Sequence, residues 1–156
     1  MDLGRIFDVL RAFEQEKVRY ALIGGIALTI HGLVRATQDV DFFISSDAEN
    51  VDRVKRALMS VFSDPDIEAI SAADLAGDYP TVRYGPPKDE FVIDLISRLG
   101  TALRYEDIEI EEKVIDGVRV RVATPAMLYR MKRGTIRPID RTDADMLQRR
   151  FGFKDV

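Results

Sequence analysis

Apolar residues recur at helical spacing at the start of the chain, and short apolar runs follow. Residues 3–13 place apolar side chains three and four positions apart, which predicts an amphipathic helix. An apolar run at 18–23 predicts a first strand, and the adjacent pair Gly24-Gly25 predicts the turn after it. The next segment, 26–32, has the pattern of a short helix closed by its final glycine.

Strands and helices continue to alternate through the middle of the chain. The segment 39–44, DVDFFI, predicts a second strand. Ser46, with Glu49 three residues later, has the capping-box pattern and predicts the start of a long amphipathic helix. Further strands are predicted at three places, which are 67–70, 81–85 and 90–96.

A β-hairpin is predicted in the segment 107–124, around Asp116-Gly117. A two-residue loop there would set Val114 opposite an arginine and mix the polar and apolar faces. A three-residue loop over 115–117 pairs Val114 with Val118 instead. We therefore expect the three-residue loop, with its glycine at positive φ.

Two helices are predicted to end the chain. Thr124-Pro125 has the N-cap and first-turn pattern of a helix that Gly134 ends, and Pro138 opens the last helix. Alternating strands and helices indicate an α/β or α+β protein with a β-sheet. The length fits a single domain over 1–156, with a C-terminal helical part at about 124–152.

The composition is that of an ordinary water-soluble domain and excludes several kinds of site. Of the 156 residues, 46% are hydrophobic and 32% are charged. The chain has no cysteine, so a disulfide framework and thiolate metal sites are excluded. A single histidine argues against a His-pair metal site and a Ser/His/Asp triad. Since no signal or membrane segment is visible, we expect a cytoplasmic protein that does not bind membranes.

Charge is distributed unevenly along the chain. Residues 119–156 carry 10 Lys or Arg and 4 Asp or Glu, although the net charge of the chain is -4. Two interpretations of this basic segment remain open. It can be a solvated helical surface or a patch that faces phosphate groups.

Three carboxylates occupy positions that strands normally fill with apolar residues. Asp39 and Asp41 are two residues apart in one predicted strand, so their side chains project from the same face, with Cα atoms roughly 6.5–7 Å apart. Asp94 stands alone in the apolar run FVIDLI. If the two strands are neighbours, the three like charges converge, and a divalent cation would relieve their repulsion. Oxygen ligands suit Mg²⁺ or Mn²⁺.

The glycine pair upstream of these carboxylates is open to two interpretations. It can be a tight turn without a ligand. It can also let phosphate oxygens approach backbone N–H groups at a helix N-terminus. The carboxylates downstream favour the second interpretation, because a metal site and a phosphate site belong together in phosphoryl transfer.

These residues resemble a known pattern. A Gly-Gly pair, a short helix, R-x-T-x-D-x-D and a distant Asp in an apolar strand resemble the nucleotidyltransferases of the DNA polymerase beta superfamily. The match is most similar to the bacterial minimal nucleotidyltransferases and the AbiEii-type toxins. A looser resemblance continues at the C-terminus, in Lys132, Arg137, Asp140 and Asp143. The fold that this implies is a mixed β-sheet flanked by helices, with a C-terminal β-hairpin and two helices.

The resemblance implies a role for each matching residue. It implies Mg²⁺ or Mn²⁺ as cofactor, held by three catalytic carboxylates, which are Asp39, Asp41 and Asp94. It implies four residues that bind the NTP, which are Gly24, Gly25, Arg35 and Lys132. In that scheme Asp39 and Asp41 ligate both metal ions, and Asp94 completes one metal and helps to deprotonate the attacking hydroxyl. Many relatives have Gly-Ser where this chain has Gly-Gly, so contacts to phosphate there would come from the backbone.

The function implied by the resemblance is transfer of a nucleoside monophosphate from an NTP, such as ATP, to a hydroxyl of RNA or protein. The RNA acceptor includes tRNA, and a cognate antitoxin is an expected partner. Two alternatives remain open. The fold can serve as a non-catalytic module that binds a nucleotide or a partner chain, or its main task can be protein association in a two-component system.

Overall fold

The computed structural model describes residues 3–77, 80–99, 103–132 and 138–153. Its helices, in chain order, are α1 (Leu3–Gln15), α2 (Gly24–Ile30), α3 (Ala48–Phe62), α4 (Ala72–Ala76), α5 (Pro125–Lys132) and α6 (Pro138–Phe151). Its strands are β1 (Tyr20–Ile23), β2 (Asp39–Ile44), β3 (Thr81–Tyr84), β4 (Val92–Ile96), β5 (Arg98–Leu99), β6 (Leu103–Arg104), β7 (Ile110–Ile115) and β8 (Val118–Ala123). None of the helices in these residues is both long and apolar enough to cross a membrane.

The main sheet has six strands in the order β3-β4-β2-β1-β8-β7. It is mixed, because β2 runs parallel to β4 and β1 parallel to β8, whereas the other neighbours are antiparallel. The remaining two strands, β5 and β6, form a separate pair. The fold is therefore α+β with a mixed sheet flanked by helices, as predicted.

The core forms where α1 and α3 pack together and α1 packs on β8. Phe13 of α1 meets Tyr20 of β1 and Phe42 of β2 in edge or tilted ring contacts, with centroids 5.2 and 4.8 Å apart. All three rings are buried. Burial of such aromatic residues is a large source of stability, and here it fixes β1 and β2 relative to the helices.

The hairpin of β7 and β8 differs from the prediction. Ile115 pairs with Val118 and Val114 with Arg119, so the loop has two residues and not three. Asp116 and Gly117 have φ values of 50° and 77°, which suit the tight primed turn that matches strand twist. The mixed pairing is tolerated because β7 is an edge strand, where Val114 is 72% exposed. Gly117 has positive φ, as expected.

Two smaller local predictions were also wrong. The N-cap of α3 is Asp47, whose side chain accepts from the Asn50 N–H at 2.9 Å, and not Ser46. Asp47 is the better placed of two adjacent capping residues because Ser45 and Arg19 hold its carboxylate. The predicted strand at 67–70 is a 3₁₀ helix, Pro65–Ala69, capped by Asp64.

The start of the C-terminal helices agrees with the prediction. The Thr124 hydroxyl accepts a hydrogen bond from the Met127 N–H at 3.2 Å, and α5 begins at Pro125. The last helix begins at Pro138. Gly134, predicted to end α5, lies outside the described residues.

Candidate active site

Three carboxylates lie together on one face of the sheet. The parallel register of β2 and β4 sets Asp41 directly beside Asp94, and Asp39 lies two residues before Asp41. Because alternate residues of a strand share a face, Asp39 and Asp41 project to the same side. Val40 projects to the opposite side and is buried. All three carboxylates line one cavity of about 430 Å³. The structure thus brings together the carboxylates that the sequence singled out.

Gly24 allows the Asp41 carboxylate to lie against the backbone. A Cβ atom at Gly24 would lie 2.1 Å from Asp41 Oδ2, and its φ of +71° also favours glycine. Gly25 is similarly close to a side chain, since a Cβ there would lie 2.9 Å from the Thr37 Cβ. The first turn of α2 therefore needs both glycines for packing, whatever it binds.

The environment of Asp41 disfavours its negative charge. Its pKa is raised from the ordinary value of 3.8 to about 7. Burial is the largest cause, followed by the charge of Asp94 and a hydrogen bond with it, and then by the charge of Asp39. The nearby Lys132 opposes these effects. The protein therefore does not fully compensate the negative charge of Asp41, and a cation bound here would be stabilised by that charge.

Arg83 is a member of the site that the sequence analysis missed. It pairs with Asp94 in the antiparallel register of β3 and β4, and the cavity is lined by both. Its Nε donates to Asp94 Oδ1 at 3.0 Å and its Nη2 to Asp94 Oδ2 at 3.2 Å. The same Nη2 is 3.5 Å from Asp39 Oδ2. The sequence did contain a signal for this pair, because Arg83 and Asp94 are lone charged residues in two predicted strands that a short connection joins.

Lys132 reaches the cavity from the end of α5. Its Nζ donates to Asp140 Oδ1 at 3.2 Å and to Asp143 Oδ2 at 2.9 Å, both on α6. Asp140 lines the cavity as well. Both acids of α6 are therefore paired with Lys132, and this pairing fixes the Lys132 ammonium near Asp41.

Arg35 binds a protein carboxylate in this structure. Its Nε donates to Asp143 Oδ1 at 2.9 Å, and Asp143 is completely buried. Arg35 thus shares Asp143 with Lys132 and does not line the cavity. Its expected contact with phosphate stays a prediction. Arg137, the other basic residue of the C-terminal resemblance, lies outside the described residues.

His31, the single histidine of the chain, contacts two strands of the sheet. It is buried, with Nε2 2.8 Å from the Ala123 carbonyl oxygen and Nδ1 3.4 Å from Glu111 Oε1. Burial lowers the pKa of the imidazole. His31 therefore joins α2 to the β7–β8 hairpin and is not part of the carboxylate cavity.

The donor chemistry of the cavity fits a hard divalent cation. Within the described ranges, no set of three or more His, Cys, Asp or Glu side chains is gathered closely enough to hold a metal ion. Two of the three carboxylates bond to Arg83 in this arrangement. The ligands are nevertheless all oxygen, and Asp41 lacks a full countercharge. These residues therefore have the kind of oxygen ligands that Mg²⁺ and Mn²⁺ prefer.

Comparison with known proteins identifies the family of this chain. A family model described as "Nucleotidyl transferase AbiEii toxin, Type IV TA system" matches residues 8–144. The chain belongs to the AbiEii nucleotidyltransferase family. The matched range contains the carboxylates, both glycines and Lys132. No curated protein matches the chain.

One solved structure supports the fold assignment of this AbiEii family member. It is the crystal structure of an antigenic nucleotidyltransferase-like protein from Paracoccidioides brasiliensis. The match has a TM-score of 0.52 and 17% sequence identity, and covers 92% of this chain and 74% of that one. The predicted nucleotidyltransferase fold is therefore confirmed.

Proposed function

We propose that this protein is a nucleotidyltransferase dependent on a divalent cation. It would transfer a nucleoside monophosphate from an NTP, ATP among them, to a hydroxyl of RNA, including tRNA, or of a protein. The observation that carries the proposal is the register of β2 and β4, which sets Asp41 beside Asp94 and against Gly24. Membership of the AbiEii family supports the reaction class.

The proposed reaction exchanges a phosphoanhydride bond of the NTP for a phosphodiester bond to the acceptor. The acceptor hydroxyl oxygen bonds to the α-phosphorus of the NTP, and the bond from that phosphorus to the β-phosphate oxygen breaks. Pyrophosphate leaves, and the hydroxyl proton passes to a carboxylate, for which Asp94 is our candidate. Catalysis would come mainly from positioning and from neutralising charge.

In this proposal some residues of the cavity bind the metal cofactor and others bind the nucleotide. Asp39, Asp41 and Asp94 would hold Mg²⁺ or Mn²⁺, which when bound neutralises phosphate charge and polarises the reacting oxygens. The backbone N–H groups of Gly24 and Gly25 would bind phosphate oxygens of the NTP. Asp140 and Asp143 hold Lys132 at the cavity, where its ammonium group would bind the triphosphate.

A cognate antitoxin is the partner that we propose from the family description, which names a type IV toxin-antitoxin system. Such a partner would be needed if the labelled acceptor is essential to the cell. The proposal predicts that co-expression of the antitoxin restores growth in cells that produce the active protein, whereas cells that produce Asp41→Asn grow without it.

The position of the label on the NTP tests the reaction. The purified protein is incubated with Mg²⁺, total RNA and cell protein, and with each NTP labelled at the α- or the γ-phosphate. We expect α-label, and no γ-label, in RNA or in protein, and we expect EDTA or Asp41→Asn to abolish it. Transfer of γ-label would indicate a kinase instead. Nucleotide binding by the folded protein without any transfer would favour the non-catalytic module.

A further inference from the structure

A guanidinium group occupies the carboxylate face of the cavity. Arg83 makes two parallel hydrogen bonds to Asp94, at 3.0 and 3.2 Å, and approaches Asp39 at 3.5 Å. Such a bidentate pair is among the stronger hydrogen-bonded contacts between charged groups. The oxygens that Arg83 binds are the same oxygens that a divalent cation would use.

The burial of the two partners is unequal. Asp94 is 7% exposed, whereas the Arg83 side chain is 64% exposed. The carboxylate is thus fixed in the protein, and the guanidinium reaches it from solvent at the end of a long flexible side chain. Its strand stays in place through other residues, because Tyr84 is buried and donates to Asp64 at 2.8 Å. Arg83 can therefore leave Asp94 without disturbing β3.

The other nearby cation is already engaged elsewhere. Lys132 is bonded to Asp140 and Asp143, so it reaches Asp41 through space and makes no bond to it in the described residues. In the metal-free protein the bonded countercharge of Asp39 and Asp94 comes from Arg83. A divalent cation would compete with the guanidinium for these oxygens, because both groups are positive and Arg83 already uses both oxygens of Asp94.

We propose that Arg83 is a resident counter-cation of the carboxylate site, displaced when a divalent cation binds and then used to bind a phosphate group of the substrate. This inference rests on the proposed function. The guanidinium fork that fits a carboxylate also fits phosphate, so the displaced side chain keeps a partner at the mouth of the cavity. Without a metal ion, Arg83 therefore holds the Asp94 carboxylate in position. After a metal ion has bound, Arg83 binds the substrate.

Mn²⁺ binding tests the displacement without any need for activity. Mn²⁺ is titrated by calorimetry into the metal-free parent, Arg83→Gln, Arg83→Lys and a control, Arg119→Gln. Arg119 also lies on a strand of the sheet and is ion-paired, with its side chain 60% exposed, but it does not line the cavity. We expect Arg83→Gln to bind Mn²⁺ about tenfold more tightly than the parent, which corresponds to about 1.4 kcal/mol. The control should bind as the parent does.

The lysine variant and the KM for NTP complete the test. Arg83→Lys keeps the positive charge but loses the bidentate guanidinium, so its Mn²⁺ affinity should lie between those of the parent and Arg83→Gln. If Arg83→Gln fails to fold, the comparison of Arg83→Lys with the parent tests the displacement. With saturating Mn²⁺, Arg83→Gln should raise the KM for NTP several-fold with little change in kcat. Equal Mn²⁺ affinity in the parent and the Arg83 variants would overturn the inference alone. If neither the parent nor any Arg83 variant binds Mn²⁺, the proposed function fails with it.

Discussion

Asp41 combines three features that are seldom found in one carboxylate. It is largely buried, it lies against the Gly24 backbone, and it has Asp94 beside it in the neighbouring strand. Burial disfavours the ionised form most, and Asp94 and the charge of Asp39 add to it, so that the pKa of Asp41 is raised to about 7. In a fold kept only for stability, an apolar residue at this position would be less costly.

The raised pKa of Asp41 predicts how stability depends on pH. In the unfolded chain Asp41 ionises near its ordinary pKa of 3.8, whereas the folded metal-free protein holds the proton until about pH 7. The contribution of Asp41 to the free energy of unfolding is therefore present below about pH 4, declines as pH rises to 7, and is absent above that. Asp41→Asn should gain stability relative to the parent across this window, reaching about 2–4 kcal/mol at pH 8.

Urea denaturation in EDTA from pH 4 to pH 8 measures this difference. Asp52→Asn, an exposed acid on α3, is the control and should track the parent at every pH. A stability difference between Asp41→Asn and the parent that does not change with pH would show that Asp41 ionises normally in the fold.

Gly24 gives a second prediction, with a matched control in the same segment. Gly24 and Gly32 both have positive φ, at 71° and 90°, but a Cβ atom at Gly32 would meet nothing within 4 Å. Gly32→Ala should therefore lower the free energy of unfolding by about 1 kcal/mol, because alanine disfavours positive φ, and it should keep its activity. In Gly24→Ala the methyl group would displace Asp41. This variant should therefore lose more than about 2 kcal/mol in the free energy of unfolding, and it should no longer transfer nucleotides. Chemical denaturation and label transfer measure the two effects. Equal behaviour of the two variants would contradict the contact with Asp41.

The elements around the cavity are joined by a buried ion network centred on Asp143. This carboxylate of α6 binds Lys132 from α5 and Arg35 from the segment between α2 and β2. Removing one partner of a buried network leaves the others uncompensated. Asp143→Ala should therefore cost about 3 kcal/mol in the free energy of unfolding and raise the KM for NTP, because Lys132 loses one of its two partners.

A neighbouring acid on the same helix provides the control for that variant. Asp145 is exposed, so Asp145→Ala should change stability by less than about 0.5 kcal/mol. Denaturation of both variants measures the difference. If Asp143→Ala unfolds like Asp145→Ala, the network does not hold α5 and α6 in place.

Local sequence signals predicted the elements better than their exact pairing. The period-two pattern of β2 and the Thr124 cap were read correctly because each depends on adjacent residues. The hairpin register was not, because the prediction assumed that β7 buries one face. As an edge strand it exposes Val114 and tolerates a polar partner. The position of a strand in the sheet is decided by the rest of the chain, so a local pattern does not contain it.

The assembled sheet explains which parts of the site could be predicted. Asp39 and Asp41 share a face by the geometry of any strand, and Asp94 was conspicuous among apolar neighbours. Arg83 was missed because its partner is set by the β3–β4 register, which no motif in the sequence specifies. The pairing of Arg35 with Asp143 joins residues 108 positions apart, so no local pattern in the sequence predicts it.

We expect Asp39, Asp41 and Asp94 to act as one catalytic centre, and the kinetics of three single variants test this expectation most directly. The rate of α-label transfer is measured for Asp39→Asn, Asp41→Asn and Asp94→Asn beside Asp52→Asn, with circular dichroism confirming that each is folded. We predict that each of the three loses about a hundredfold or more in kcat, as expected when a group that stabilises developing charge is removed, and that Asp52→Asn keeps the parental rate. A folded Asp41→Asn or Asp94→Asn that transfers label at the parental rate would contradict the account.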